Sequence, residues 1–147
     1  MSHRRSGVMG PSAINHIALN CRNLAAQEAF FCKHFGFRRV RTFKAGQPDE
    51  FLMLKLGSVR LELFPLRGGS PAGEAKGGEQ VVGFKHLAFD VPQLEPAIAA
   101  LRADGLEPDP IIDMGHVTPG FRIVFFRDPE GNILELMEGY QDGEQAS

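Results

Sequence analysis

The chain writes one motif twice, and that repetition constrains its fold more than any other feature. Ile14-Asn15-His16-Ile17-Ala18-Leu19 is echoed 70 residues later by Phe84-Lys85-His86-Leu87-Ala88-Phe89. Leu61-Glu62-Leu63, which closes the run from Gly57, is echoed by Leu134-Glu135-Leu136 at an offset of 73. A period near 70 is too long for the 20–50-residue repeats of solenoids, so the pattern reads as a duplicated half-domain. Neither half, at ~55 residues, can bury an adequate core alone.

Each half carries the signals of βαβββ. In the first, an alternating strand over 14–21 leads to Asn23, a helix N-cap. A helical segment from Leu24 to Phe35 follows, with Leu24, Phe31 and Phe35 apolar and Gly36 as its stop. Extended runs cover 37–44, 50–56 and 58–65. In the second half a strand over 84–91 is followed by Pro92 in a first helical turn. Leu94, Ile98 and Leu101 give the helical face, and Gly105 ends it. Strands are expected over 108–113, 121–127 and 132–138, the last two joined by the turn Asp128-Pro129-Glu130-Gly131. The expected organisation is one α+β domain over 13–139, built of half 13–65, linker 66–83 and half 84–139. Residues 1–12 and 140–147 are tails. The linker holds six glycines without periodicity.

Strand parity then gathers polar groups. Val59, Leu61 and Leu63 share one face, and Arg60, Glu62 and Phe64 the other. Leu134 and Leu136 likewise oppose Ile133, Glu135 and Met137. Each half thus offers one histidine from its first strand and one glutamate from its last. If those strands are neighbours, His16, Glu62, His86 and Glu135 form a donor set for one divalent ion: Ni, Co, Zn, Mn or Fe(II). A single histidine in a half-apolar strand is ordinarily structural, and a single glutamate ordinarily solvated. The same pair at matched places in both halves is far less readily explained by packing.

Charge narrows the partners. Sixteen Lys and Arg against 18 Asp and Glu give a net charge of -2, which speaks against nucleic-acid or anionic-membrane partners. No apolar run reaches the ~18 residues of a membrane span. Met1 to Ala13 lacks the apolar core of a signal peptide. Cys21 and Cys32 read as reduced thiols of a cytoplasmic protein.

The paired halves, the His-Ile-Ala-Leu and His-Leu-Ala-Phe strands and the ending Phe-Phe-Arg-Asp-Pro-Glu-Gly-Asn-Ile-Leu-Glu-Leu resemble the vicinal oxygen chelate superfamily. Within it the chain is most similar to the glyoxalase I-like branch. That resemblance implies tandem βαβββ modules whose curled mixed sheet forms a metal-binding cup, with His16, Glu62, His86 and Glu135 as ligands of one ion. It also implies proton abstraction by Glu135 or Glu62 beside a metal-chelated carbonyl, as in lactoylglutathione lyase or a related lyase or isomerase. The substrate would be a small molecule, a thiol adduct among the candidates, and the enzyme a homodimer. Where glyoxalase I commonly places a glutathione-binding arginine, this chain has Asn20. Arg60 and Arg122 stand as alternative anchors for an anionic group, and Phe64 and Met137 as cleft lining. A methylmalonyl-CoA epimerase-like isomerase, an extradiol dioxygenase-like enzyme and a non-catalytic bleomycin-resistance-like module are the rival readings.

Overall fold

A computed structural model describes residues 7, 8, 10, 13–66 and 84–143. The chain divides into two compact units, 1–68 and 69–147. The expected linker lies outside the described residues except for Leu66, as do most of the expected tails.

The first unit comprises β1 (Ile17–Cys21), α1 (Leu24–Phe35), β2 (Arg38–Phe43), β3 (Phe51–Leu56) and β4 (Val59–Pro65). Its strands form one mixed sheet in the order β1-β4-β3-β2, with β1 and β4 parallel and the other pairs antiparallel. Helix α1 has both expected ends. The Asn23 side chain accepts from the Ala26 amide at 3.0 Å. Gly36 takes a left-handed φ of 77°, and the Gly36 and Phe37 amides donate to Cys32 and Phe31 carbonyls, a Schellman ending. Phe31 is the anchor on the sheet side: it is fully buried, with Phe30 and Phe37 packed edge-on at 5.3 and 5.6 Å. Leu52, Leu54, Leu61 and Leu63 complete this core. Leu24 and Phe35, expected on the buried face, are only half-buried, and Gln27 is buried in their stead.

The second unit repeats the plan with β5 (Leu87–Asp90), α2 (Leu94–Ala103), β6 (Ile112–Asp113), β7 (Arg122–Arg127) and β8 (Ile133–Glu138), in the order β5-β8-β7-β6. Leu94, Ile98 and Leu101 are the buried face of α2, over Val124, Phe126, Leu134 and Leu136. The α2 start differs from expectation. Pro92 precedes the Gln93 cap, and Pro96 occupies the first turn. Gln93 supplies no side-chain cap; the Glu138 carboxylate accepts from the Leu94 amide at 3.0 Å in its place. Strand β6 is two residues long rather than six, because Pro108 and Pro110 have no amide to donate to a ladder.

Candidate metal centre

The two histidine–glutamate pairs are built by the same ladder. In unit 1 the parallel register sets Ala18 beside Glu62, and in unit 2 it sets Ala88 beside Glu135. Each histidine stands two residues before that alanine, so it shares the glutamate's face one step along the ladder. The small alanine leaves space between them. His16 Nε2 lies 3.6 Å from a Glu62 carboxylate oxygen, and His86 Nε2 lies 3.0 Å from one of Glu135. Glu135 is buried at 8% exposure, and Glu62 is half-buried.

Imidazole nitrogen beside carboxylate oxygen is a donor combination that divalent ions accept. Two atoms ~2.1 Å from one ion and on neighbouring coordination positions lie about 3.0–3.4 Å apart. At 3.0 Å the second pair lies within that range and within hydrogen-bond reach, and at 3.6 Å the first lies just beyond both. His16 Nδ1 is 2.9 Å from Asn15 Oδ1; with the proton there, Nε2 keeps its lone pair toward Glu62. The His86 ring rests against the Phe125 ring at 5.5 Å, which limits its rotation. Among the described residues, no group of three or more His, Cys, Asp or Glu gathers as a metal site. Each half presents two donors.

Other expected site residues separate by face. Asn20, Arg60 and Phe64 share the Glu62 face, and Phe64 continues a ladder in which Phe43, Phe51 and Phe64 stack at centroid spacings of 4.4 Å. Met137 shares the Glu135 face. Arg122 does not: it pairs in register with Glu138 on the helix side of the sheet. Its guanidinium donates to Glu138 at 2.8 and 3.0 Å and to Glu95 at 2.7 and 3.0 Å, so its donors tie α2 to β8. The Arg122 guanidinium holds both carboxyls below their ordinary range, the Leu94 amide adding to the effect on Glu138. The pairing of Phe125 with Glu135 and of Arg122 with Glu138 sets Arg122 on the face away from Glu135. Asn15 and Phe125 escaped the sequence reading, although each flanks a landmark residue in sequence or register. Beside His86 lies a cavity of about 530 Å3, also lined by Lys85, Phe125, Arg127 and Ile133. That volume suits a small molecule.

A duplicated βαβββ unit with a histidine opening each half and a glutamate closing it defines the class to which such a chain belongs. Residues 13–136 match the Glyoxalase/Bleomycin resistance protein/Dioxygenase superfamily, and the chain is a member of it. An uncharacterized protein of Bacillus subtilis, YwkD, is 33% identical over 86% of this chain and 96% of its own length. A glyoxalase family protein from Enterococcus faecalis is 35% identical, covering 86% of this chain and 97% of its own, with a TM-score of 0.68. A lactoylglutathione lyase from Agrobacterium tumefaciens is 28% identical, covering 88% of this chain and 95% of its own, with a TM-score of 0.61. Many members of this superfamily are metal-dependent enzymes.

Proposed function

We propose that this chain is a metal-dependent glyoxalase I-like lyase or isomerase. The observation that carries the reading is the repeated pair: two imidazole–carboxylate couples of matched register, set by Ala18–Glu62 and Ala88–Glu135. Two donors hold a divalent ion weakly, so two such pairs, His16 with Glu62 and His86 with Glu135, serve one ion of the Ni, Zn, Co, Mn or Fe class. An ion held there would polarise neighbouring substrate oxygens and stabilise charge developing on them.

The protein's own part is proton movement and placement. We assign the base to Glu135, whose burial shields an abstracted proton from exchange with water. The Glu135 carboxylate takes the proton from carbon and returns it to the adjacent carbon, so no external acid is consumed. His16 and His86 act as neutral ligands, His16 oriented by Asn15. The hemithioacetal of methylglyoxal and glutathione is the leading substrate because the lyase among the relatives is named for that product. The chain is read as a homodimer. Ile14 and Phe84, two residues ahead of the histidines, are 78% and 93% exposed, apolar groups that a second copy would cover.

Metal analysis after dialysis against each ion, followed by hemithioacetal turnover, tests the reading. One ion per histidine–glutamate quartet and turnover abolished in Glu135→Gln are the expected results. A protein that takes up none of the ions is a binding module, and one that binds metal without turning over the hemithioacetal acts on another substrate.

A further inference from the structure

One strip of the Glu62 face is crowded with positive charge. The register sets Arg38 opposite Lys55 and Lys55 opposite Arg60, three cations in one row across β2, β3 and β4. Like charges directly opposite each other on a sheet are destabilising. Among the described residues, no carboxylate forms an ion pair with any of them; the cations so neutralised nearby are Arg39, by Glu28, and Lys44, by Asp49.

A second, independent feature adds a fourth cation. Simple alternation from Arg38 would put Arg41 on the helix side with Arg39. A β-bulge between Arg39 and Arg41 breaks the alternation, and Arg41 pairs with Met53, the residue beside Glu62. Bulges of this kind re-aim side chains next to active sites. Arg38, Arg41, Lys55 and Arg60 thereby line one cavity of about 310 Å3 together with Asn15, Phe43 and Met53. Asn15 contacts His16, and Met53 adjoins Glu62 in register, so the cavity opens one ladder step from the first donor pair. The row of stacked Phe43, Phe51 and Phe64 adjoins the same cavity: Phe43 lines it, and the Arg41 guanidinium stands 5.7 Å from the centre of its ring.

We propose that Arg38, Arg41, Lys55 and Arg60 form an oxyanion-binding subsite, which holds a phosphate or a pair of carboxylates at one end of the substrate. The guanidinium forks suit two-oxygen recognition of either group. The link from this subsite to the reacting carbon rests on the reading of Glu62 as a metal ligand; anion binding itself does not. The substrate class is accordingly an anionic α-oxygenated compound, its charged end over the cationic row and its apolar part on the phenylalanine ladder.

Calorimetric titration of the full-length protein at low ionic strength, with inorganic phosphate and with malonate as probes, tests the proposal. The wild type is expected to bind at least one of them, with affinity falling as salt is raised. R41Q/R60Q is expected to weaken that binding at least tenfold while metal uptake stays at the wild-type level. Tighter binding of phosphate identifies the phosphoryl source, and tighter binding of malonate the dicarboxylate. R38Q/K55Q removes opposed like charges, so it is expected to melt no lower than wild type, and it repeats the measurement should R41Q/R60Q fold poorly. The proposal is overturned if neither probe binds, or if the folded variants bind as wild type. Anion binding that depends on these residues in a protein taking up no metal would leave the subsite standing and remove the metal-centred function.

Discussion

Asp128 is the strongest single test of how the second half holds its glutamate. Its carboxylate accepts from the Glu130 and Asn132 amides, both at 2.9 Å, and from the Asn132 side-chain amide at 2.8 Å. Gly131 closes the same turn by donating to the Asp128 carbonyl at 2.9 Å. Asp128 is 4% exposed, so its partners cannot simply turn to water. Three hydrogen bonds to one charged acceptor, at ~1–2 kcal/mol each net, put Asp128→Ala at about 3–6 kcal/mol. That corresponds to a melting point lower by about 10 °C in a chain of this size. Asp128→Asn keeps one oxygen for the two backbone amides and faces the Asn132 side chain with a donor, for about 1–2 kcal/mol. The assay is urea unfolding followed by tyrosine fluorescence. Tyr140 is the one tyrosine in a chain without tryptophan, and it packs on Phe121 at 5.3 Å, so it reports on this unit. An Asp128→Ala protein within 1 kcal/mol of wild type would show that the carboxylate does not hold the turn.

Two further predictions concern the second unit. Because Arg122 depresses the Glu138 and Glu95 carboxyls, both contribute stability above their unfolded values, and that stability is lost as the pH falls through the folded ones. Arg122→Gln is therefore expected to be less stable at pH 7, with a shallower loss of stability below about pH 4.5; an unchanged acid slope in thermal melts would contradict this. At Gly139, φ is 77° and an added Cβ would meet the Gly120 carbonyl oxygen at 2.6 Å, whereas Gly105, at φ 80°, has open space. Gly105→Ala is expected to cost ~1 kcal/mol and Gly139→Ala clearly more. Equal melting points for the two variants would refute the close-approach argument.

The features legible in the sequence were those written by local rules. Asn23 and Gly36 bound α1 at Leu24–Phe35 as their capping chemistry requires, and the leucine faces of β4 and β8 followed from alternation. What alternation could not show was where pairing stops. Expected strands over 14–21 and 84–91 begin only at Ile17 and Leu87, since a strand exists only where a neighbour answers it. Position 41 was unreadable for another reason. Its face is decided by the bulge, a property of two strands together, and so the placing of Arg41 beside the cationic row was invisible to a reading of β2 alone. Arg122 failed as an anchor because its attraction to two glutamates distant in sequence, Glu95 and Glu138, outweighs its availability to solvent.

The parallel ladder between the opening and closing strands of each half also sets a timetable for synthesis. The first pair needs Glu62, and the second needs Glu135, 73 residues later. At ~5–20 residues per second, a ribosome spends about 4–15 s with the first couple complete and the second lacking its carboxylate. A growing chain in that interval carries His16 and Glu62, gains His86 24 residues after Glu62, and lacks Glu135 throughout. If the four residues are the ligands proposed above, the complete donor set belongs to the finished polypeptide alone.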